Sequence, residues 1–354
     1  MVRSKEEILR TLDRDGRLDG MPFMPEMFAF CGKRLRVYRR AHKTCDTVFP
    51  VRSRRIADAV HLETRCDGSA HGGCQAGCLI FWKEAWLKRV DTDVRAASPG
   101  PVHIQSERSA VPRPGCTEAD VIRGTRAAED ADTSNPTYVC QATRLPYASQ
   151  DLSPYDFRQY VEDYTSGNVG LGRWIRGMIY ITYQRVINLG VGLGRPLRWL
   201  YDRFQSLWGG LPYPRWPGKI LSGQNTPTGR LDLQAGELVR VKSYEEILAT
   251  CNTDNRNRGM SFDAEMVPFC GRTYRVHKPV TKIINEKTGK MMEMKNPCII
   301  LEGVVCEARY SECRMFCPRA IYPYWREIWL ERVAGDDAVS QRPPGKPGAV
   351  ITSS

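Results

Sequence analysis

Val2-Arg3-Ser4-Lys5-Glu6-Glu7-Ile8-Leu9 and Val241-Lys242-Ser243-Tyr244-Glu245-Glu246-Ile247-Leu248 open two stretches of one chain that match without a gap. The match runs from Val2–Val37 to Val241–Val276 at a constant offset of 239, with about half the positions identical. Glu26-Met27 and Phe30-Cys31-Gly32 return as Glu265-Met266 and Phe269-Cys270-Gly271. The offset survives to Leu62-Glu63 and Leu301-Glu302. Each stretch then closes on paired tryptophans, Trp82 and Trp86 before Val90, Trp325 and Trp329 before Val333. Self-similarity of this extent reads as tandem duplication of a module of about 90 residues.

Local signals give the module a fold class. Ser4-x-x-Glu7 and Ser243-x-x-Glu246 are capping boxes ahead of Ile-Leu pairs, so a short helix starts each copy. Thr273–Ile284 is rich in β-branched and aromatic residues, Asn285–Gly289 supplies a turn, and Lys290–Val305 returns. Gly236–Val241 adds a short strand, and a last strand is expected to end at Val90 and Val333. The expectation is a mainly β chain with some helix (α+β), each copy a small antiparallel β-barrel-like module whose architectural analogue is SH3-like. Residues 1–94 and 236–333 form the two modules. Between them lie a linker (95–136), a helical basic and aromatic insert (137–208) and a Pro/Gly linker (209–235). A disordered tail (334–354) follows.

The duplication sorts the 13 cysteines. Cys31, Cys66, Cys74 and Cys78 recur as Cys270, Cys306, Cys313 and Cys317, giving C-x7-C-x3-C in one copy and C-x6-C-x3-C in the other. Cys45, Cys116, Cys140, Cys251 and Cys298 have no counterpart. Four thiolates converging on one point suit a closed tetrahedral zinc site, which would also contribute folding energy to a small module. Two zinc sites are therefore expected, one per copy. An iron–sulfur cluster is the alternative cofactor, and buried or redox-active thiols are the plain reading. His61 and His71 do not recur, Ile300 and Tyr310 standing at the matching positions. If one copy had acquired an open metal position or an electron-transfer role, His71, Cys45 and Cys140 would carry the asymmetry. The recurring Glu26/Glu265, Glu63/Glu302 and Glu84/Glu327 read as structural carboxylates. No nucleophile motif, phosphate-cradling loop or dinucleotide fingerprint is present.

The insert has its own chemistry. From Thr165 to Tyr201 there is no Asp or Glu, while Arg173, Arg176, Arg185, Arg195 and Arg198 alternate with Trp174, Tyr180, Tyr183, Trp199 and Tyr201. Ser153-Pro154 is expected to start a helix running to about Ser166. Leu171–Leu193 is apolar but broken by Arg, Gln and Asn, which argues against a spanning helix. Pro196–Trp208 is expected to place Leu197, Leu200, Tyr201, Phe204, Leu207 and Trp208 on one face. Arg173, Trp174, Arg176, Arg185, Arg198 and Trp199 are the candidate contacts to an anionic membrane surface or a partner protein. The alternative is a hairpin packing its apolar stripe on the modules. A nucleic-acid partner has charge in its favour but no motif.

Overall composition agrees with this division. The chain has 354 residues, 52 Lys and Arg against 40 Asp and Glu, and 42% hydrophobic residues, so a wholly disordered protein is excluded. Met1–Glu7 enters a charged helical pattern with no apolar stretch, from which a cytoplasmic chain is expected, peripheral to a membrane if its insert binds lipid. The functional expectation is a non-catalytic, metal-binding scaffold or binding protein; the alternative is a metal-dependent enzyme or electron carrier.

Overall fold

The computed structural model describes residues 1–48, 50–90, 115–127, 134–190 and 192–333. Among these the helices are α1 (Lys5–Leu9), α2 (Glu118–Arg123), α3 (Gln141–Arg144), α4 (Arg158–Thr165), α5 (Leu171–Ile187), α6 (Gly194–Leu207) and α7 (Tyr244–Thr250). The strands are β1 (Arg17–Leu18), β2 (Met21–Pro22), β3 (Val37–Arg40), β4 (Lys43–Asp46), β5 (Arg52–Arg55), β6 (Ala59–Arg65), β7 (Leu79–Lys83) and β8 (Gln150–Leu152). They continue with β9 (Leu238–Val241), β10 (Arg256–Asn257), β11 (Met260–Ser261), β12 (Thr273–Ile284), β13 (Met291–Leu301) and β14 (Leu330–Arg332). The protein is thus a mixture of helix and several small antiparallel sheets.

The chain divides into two compact units whose boundaries cut across the expected modules. The first holds Met1–Val186 together with Lys282–Glu293 and Glu307–Ile321. The second holds Ile187–Thr281, Met294–Cys306 and, of the described residues, 322–333. Part of the carboxy-terminal segment therefore belongs to the first unit.

In the first unit, β3, β6 and β7 form one sheet and β4, β5 and β8 another. His61 of β6 sits between Arg39 and Phe81 in register. The insert supplies β8, and Arg54 of β5 ties it down by donating to Asp151 at 2.6 Å. In the second unit β13, β12, β9 and β14 form a four-stranded sheet.

Each unit has a core built on the same aromatic arrangement. Phe23 meets the edge of Trp86 at 5.2 Å, and Phe30 meets Trp82 at 6.0 Å. Phe262 meets Trp329 at 5.4 Å, and Phe269 meets Trp325 at 6.4 Å. The indole N–H of Trp86 donates to Thr11 Oγ1 at 3.1 Å, and that of Trp329 donates to Thr250 Oγ1 at 3.0 Å. All four tryptophans are fully buried, and edge-to-face rings are a favourable way to bury that much surface.

Several expectations change. The last strand forms only in the second unit, where β14 pairs along β9. Near the amino terminus Leu87 finds only Val2 as an isolated bridge, because the chain supplies no full strand there. The region expected as linker contains α2, capped by Thr117 and Asp120, with Val121 buried in the first core. Helix α4 starts at Arg158, not after Ser153, because Ser153 Oγ and Asp156 Oδ1 take the N–H groups of Tyr155 and Arg158 in turns first. Residues 91–114, 128–133 and the tail 334–354 lie outside the described residues. Among the described residues no helix is long and apolar enough to cross a membrane.

Candidate metal centre

The first unit carries a concave site built on the loop that joins β6 to β7. Cys66 closes the ladder through its N–H to Cys78 O at 2.9 Å. The chain then folds tightly, with the N–H groups of His71 and Gly73 both donating to Gly68 O. Gly68 has φ +75°, and a Cβ there would lie 2.1 Å from the carbonyl oxygen of Cys74, so the turn needs glycine. Asp67 Oδ1 accepts from the N–H and hydroxyl of Ser69 and rigidifies the loop start. The result points the His71 imidazole inward, where it is fully buried.

Opposite it stands Glu26, on the short 3-10 helix Pro25–Phe30. His71 Nδ1 lies 2.7 Å from Glu26 Oε1, and the same oxygen accepts from the N–H of Ala70 at 3.1 Å. His71 Nε2 faces Val139 O at 3.1 Å. Cys66 Sγ is 3.8 Å from Glu26 Oε1. Glu26, Cys66 and His71 each offer a ligand atom within 4.8 Å of the others, and no other His, Cys, Asp or Glu group among the described residues does so. The second carboxylate oxygen, Glu26 Oε2, is buried and has no hydrogen-bond partner. A buried charged oxygen left unpaired costs stability unless a cation completes it.

Burial pushes the Glu26 carboxyl up, but the hydrogen bond and charge of His71 and the Ala70 N–H outweigh it, and the net direction is down. The carboxylate is therefore ionised beside a thiol. Burial, and then the charge of Glu26, push the Cys66 thiol well up. Burial also raises Cys78 to about 12 and Cys140 to about 11. A divalent cation would reverse this local logic and hold the thiols as thiolates.

A narrow cavity of about 30 Å³ adjoins the group, lined by Cys66, His71, Cys74, Cys78, Cys140 and Arg319 among others. Cys140 is placed by Gln141, whose amide exchanges hydrogen bonds with both backbone groups of Phe81. Arg319 is buried and donates to Cys45 O and Glu286 Oε1, which fixes a guanidinium near these thiols.

The eight repeated cysteines are treated unequally. Cys66, Cys74 and Cys78 share the cavity, and Cys140, not Cys31, is the fourth thiol in its wall. Cys31 ends its 3-10 helix near Glu6 and Lys5, packed on the core. Cys270 packs on the second core, its Sγ 3.9 Å from Met266 O. Cys306 belongs to the second unit, whereas Cys313 and Cys317 belong to the first. Cys313 is exposed, and Cys317 is buried in hydrogen-bond contact with Cys45. Sequence reasoning classed Glu26 as structural because it recurs, and no sequence signal shows that one of its oxygens is orphaned. The lack of a second His71 was the available clue.

The candidate surface residues of the insert turn inward for the most part. On α5, Arg173 donates to Glu307 O, Trp174 Nε1 donates to Tyr160 O at 2.7 Å, and Arg185 lies over the Tyr155 ring. Arg176 is exposed and donates to Gly172 O within its own helix. On α6, Arg198 lies over the rings of Tyr213 and Trp216, and Trp199 is exposed.

Comparison with protein-family models finds no match, and comparison with curated proteins finds no significant sequence similarity.

Proposed function

We propose that this is a zinc-binding protein whose centre lies in the first unit and whose role is non-catalytic, as a binding or scaffold protein. The orphaned Glu26 Oε2, beside Cys66 and His71, carries this reading. Glu26, Cys66 and His71 would hold the ion, and one of Cys74, Cys78 or Cys140 would supply the fourth ligand. A mixed set of oxygen, sulfur and nitrogen donors favours zinc over an iron–sulfur cluster, which takes thiolates. Bound there, zinc supplies a positive charge that satisfies the carboxylate and crosslinks the β6–β7 loop to the 3-10 helix. A cavity of about 30 Å³ admits an ion, not an organic substrate, which supports a structural centre. The reading gives one ion per chain, because the carboxy-terminal segment has no histidine between Cys306 and Cys313. We also read the two segments as duplicates of one small SH3-like module; the shared aromatic arrangement supports this.

Metal analysis of the purified chain tests the proposal. About one zinc per chain is expected, absent from the Cys66→Ser/His71→Ala double variant and retained by Cys306→Ser. Full zinc in the double variant, with circular dichroism intact, would overturn it. So would iron with an absorption band near ~400 nm.

A further inference from the structure

Helix α6 is built inside out. Its polar side chains Arg198 and Asp202 face its own unit: Arg198 lies 5.3 Å from the Tyr213 ring centre and 5.9 Å from that of Trp216. Asp202 accepts from Trp216 Nε1 at 2.7 Å and from the Tyr213 N–H. Tyr213 is fully buried, so this polar contact is the anchored side of the helix. The opposite side carries Leu200, Phe204 and Leu207, spaced four and three residues apart, with Leu193 and Trp208 at the two caps, and all five are more than half exposed. Leu207 and Trp208 reach 75% and 76% exposure. No residue of α6 is buried. A soluble amphipathic helix normally turns its apolar stripe to the core; here the stripe is the outermost surface.

The geometry points to an anionic phospholipid bilayer as what covers this face. Three features favour lipid over a protein groove. Exposed Arg203 borders the apolar stripe, exposed Arg195 adds positive charge on the Arg198 side of the helix, and the only acid on α6, Asp202, is occupied by Trp216. Trp199 and Trp208 stand at its edges, where indoles sit at the headgroup level of a membrane. The chain carries a net charge of +12, complementary to an anionic surface. Helix α5, in the first unit, independently leaves Leu171, Ile175, Ile179 and Val186 exposed beside Arg176. The helix would lie in the interface, since no described helix is long and apolar enough to span.

Co-sedimentation of the full chain with vesicles tests this. Phosphatidylcholine vesicles doped with phosphatidylglycerol should bind at least about tenfold more tightly than phosphatidylcholine alone, with a blue shift of tryptophan emission. Leu200→Ser/Phe204→Ser should weaken that binding about tenfold or more without moving the unfolding midpoint, because both side chains are already exposed. Equal and negligible binding to both vesicles would overturn the proposal. So would undiminished binding by the serine pair, or a concentration-dependent dimer that the serine pair dissolves.

Discussion

The amino-terminal segment 2–90 and the carboxy-terminal segment 241–333 share their packing and differ in their chemistry. Phe23, Phe30, Trp82 and Trp86 form the same edge-to-face arrangement as Phe262, Phe269, Trp325 and Trp329, down to the threonine that accepts the indole N–H of Trp86 and of Trp329. The loop behind that arrangement diverges. Cys66–Cys78 carries His71 onto Glu26, whereas Cys306 and Cys317 belong to different units. Aromatic packing tolerates little change in volume, while a loop on its rim is free to acquire or lose a site.

The largest effects should fall on the shared part and should be equal. Trp86→Ala and Trp329→Ala each remove a fully buried indole and its hydrogen bond to a threonine hydroxyl, a loss of about 3–5 kcal/mol. Urea or thermal unfolding of the two variants checks this. A tolerated substitution on one side only would mean that the two cores are not energetic equivalents.

The next effect should be one-sided. Cys66→Ser should weaken zinc affinity by roughly a hundredfold, about 2.7 kcal/mol, by competition with a chromogenic chelator. Cys306→Ser should leave the affinity unchanged. Equal losses would place the ion in both segments and break the contrast drawn above.

A third difference is a pH dependence. His61 is fully buried between neighbouring strands, where its matching residue is Ile300. Burial pushes its imidazole down to about 3 despite the bond from Nδ1 to Ile80 O. The unfolded chain takes up a proton near pH ~6.5 that the folded chain refuses, so the unfolded state binds more protons over that interval. Stability therefore falls as pH drops from about 6.5 toward 3, by about 1.4 kcal/mol per unit once well below the upper value. His61→Ile should flatten this slope, measured by urea midpoints between pH ~6.5 and ~5, although it strands Ile80 O and costs some stability at neutral pH. An unchanged slope would show that His61 is protonated in place.

These contrasts also mark what the sequence disclosed. The starts of α1 and α7, the hairpin from Thr273 and the recurrence of the tryptophans follow from spacing and capping, which are local. The grouping of Cys140 with Cys66, Cys74 and Cys78 is not local: it depends on α3 being pinned to β7 by Gln141. Recurrence therefore nominated Cys31, a residue conserved between segments by packing, in place of Cys140. The orientation of α6 was equally hidden, because periodicity gives an apolar face and not the direction in which it points. Its amphipathic stripe was legible, and Asp202 and Arg198 turn it outward.

The smallest expected effect returns to the residues on which the two segments first match. Ser4 and Ser243 cap α1 and α7 with the same geometry, each hydroxyl accepting from the N–H three residues on at 3.3 Å. The returning glutamates accept from the serine N–H at 3.0 Å and 2.8 Å. Ser4→Ala and Ser243→Ala should each cost about 1 kcal/mol, and the double variant should lose nearly the sum if the two helices unfold independently of each other's cap. The glutamates are less alike. Lys88 first, with the Ser4 N–H, holds Glu7 down to about 2, while Glu246 is lowered by Ser243 alone in first rank. Glu7→Gln should therefore show a salt-sensitive loss that Glu246→Gln lacks, because an exposed ion pair is screened and a capping hydrogen bond is not. If both losses respond equally to salt, the two caps are the same electrostatic device, and the divergence between the segments begins only at the cysteine loop.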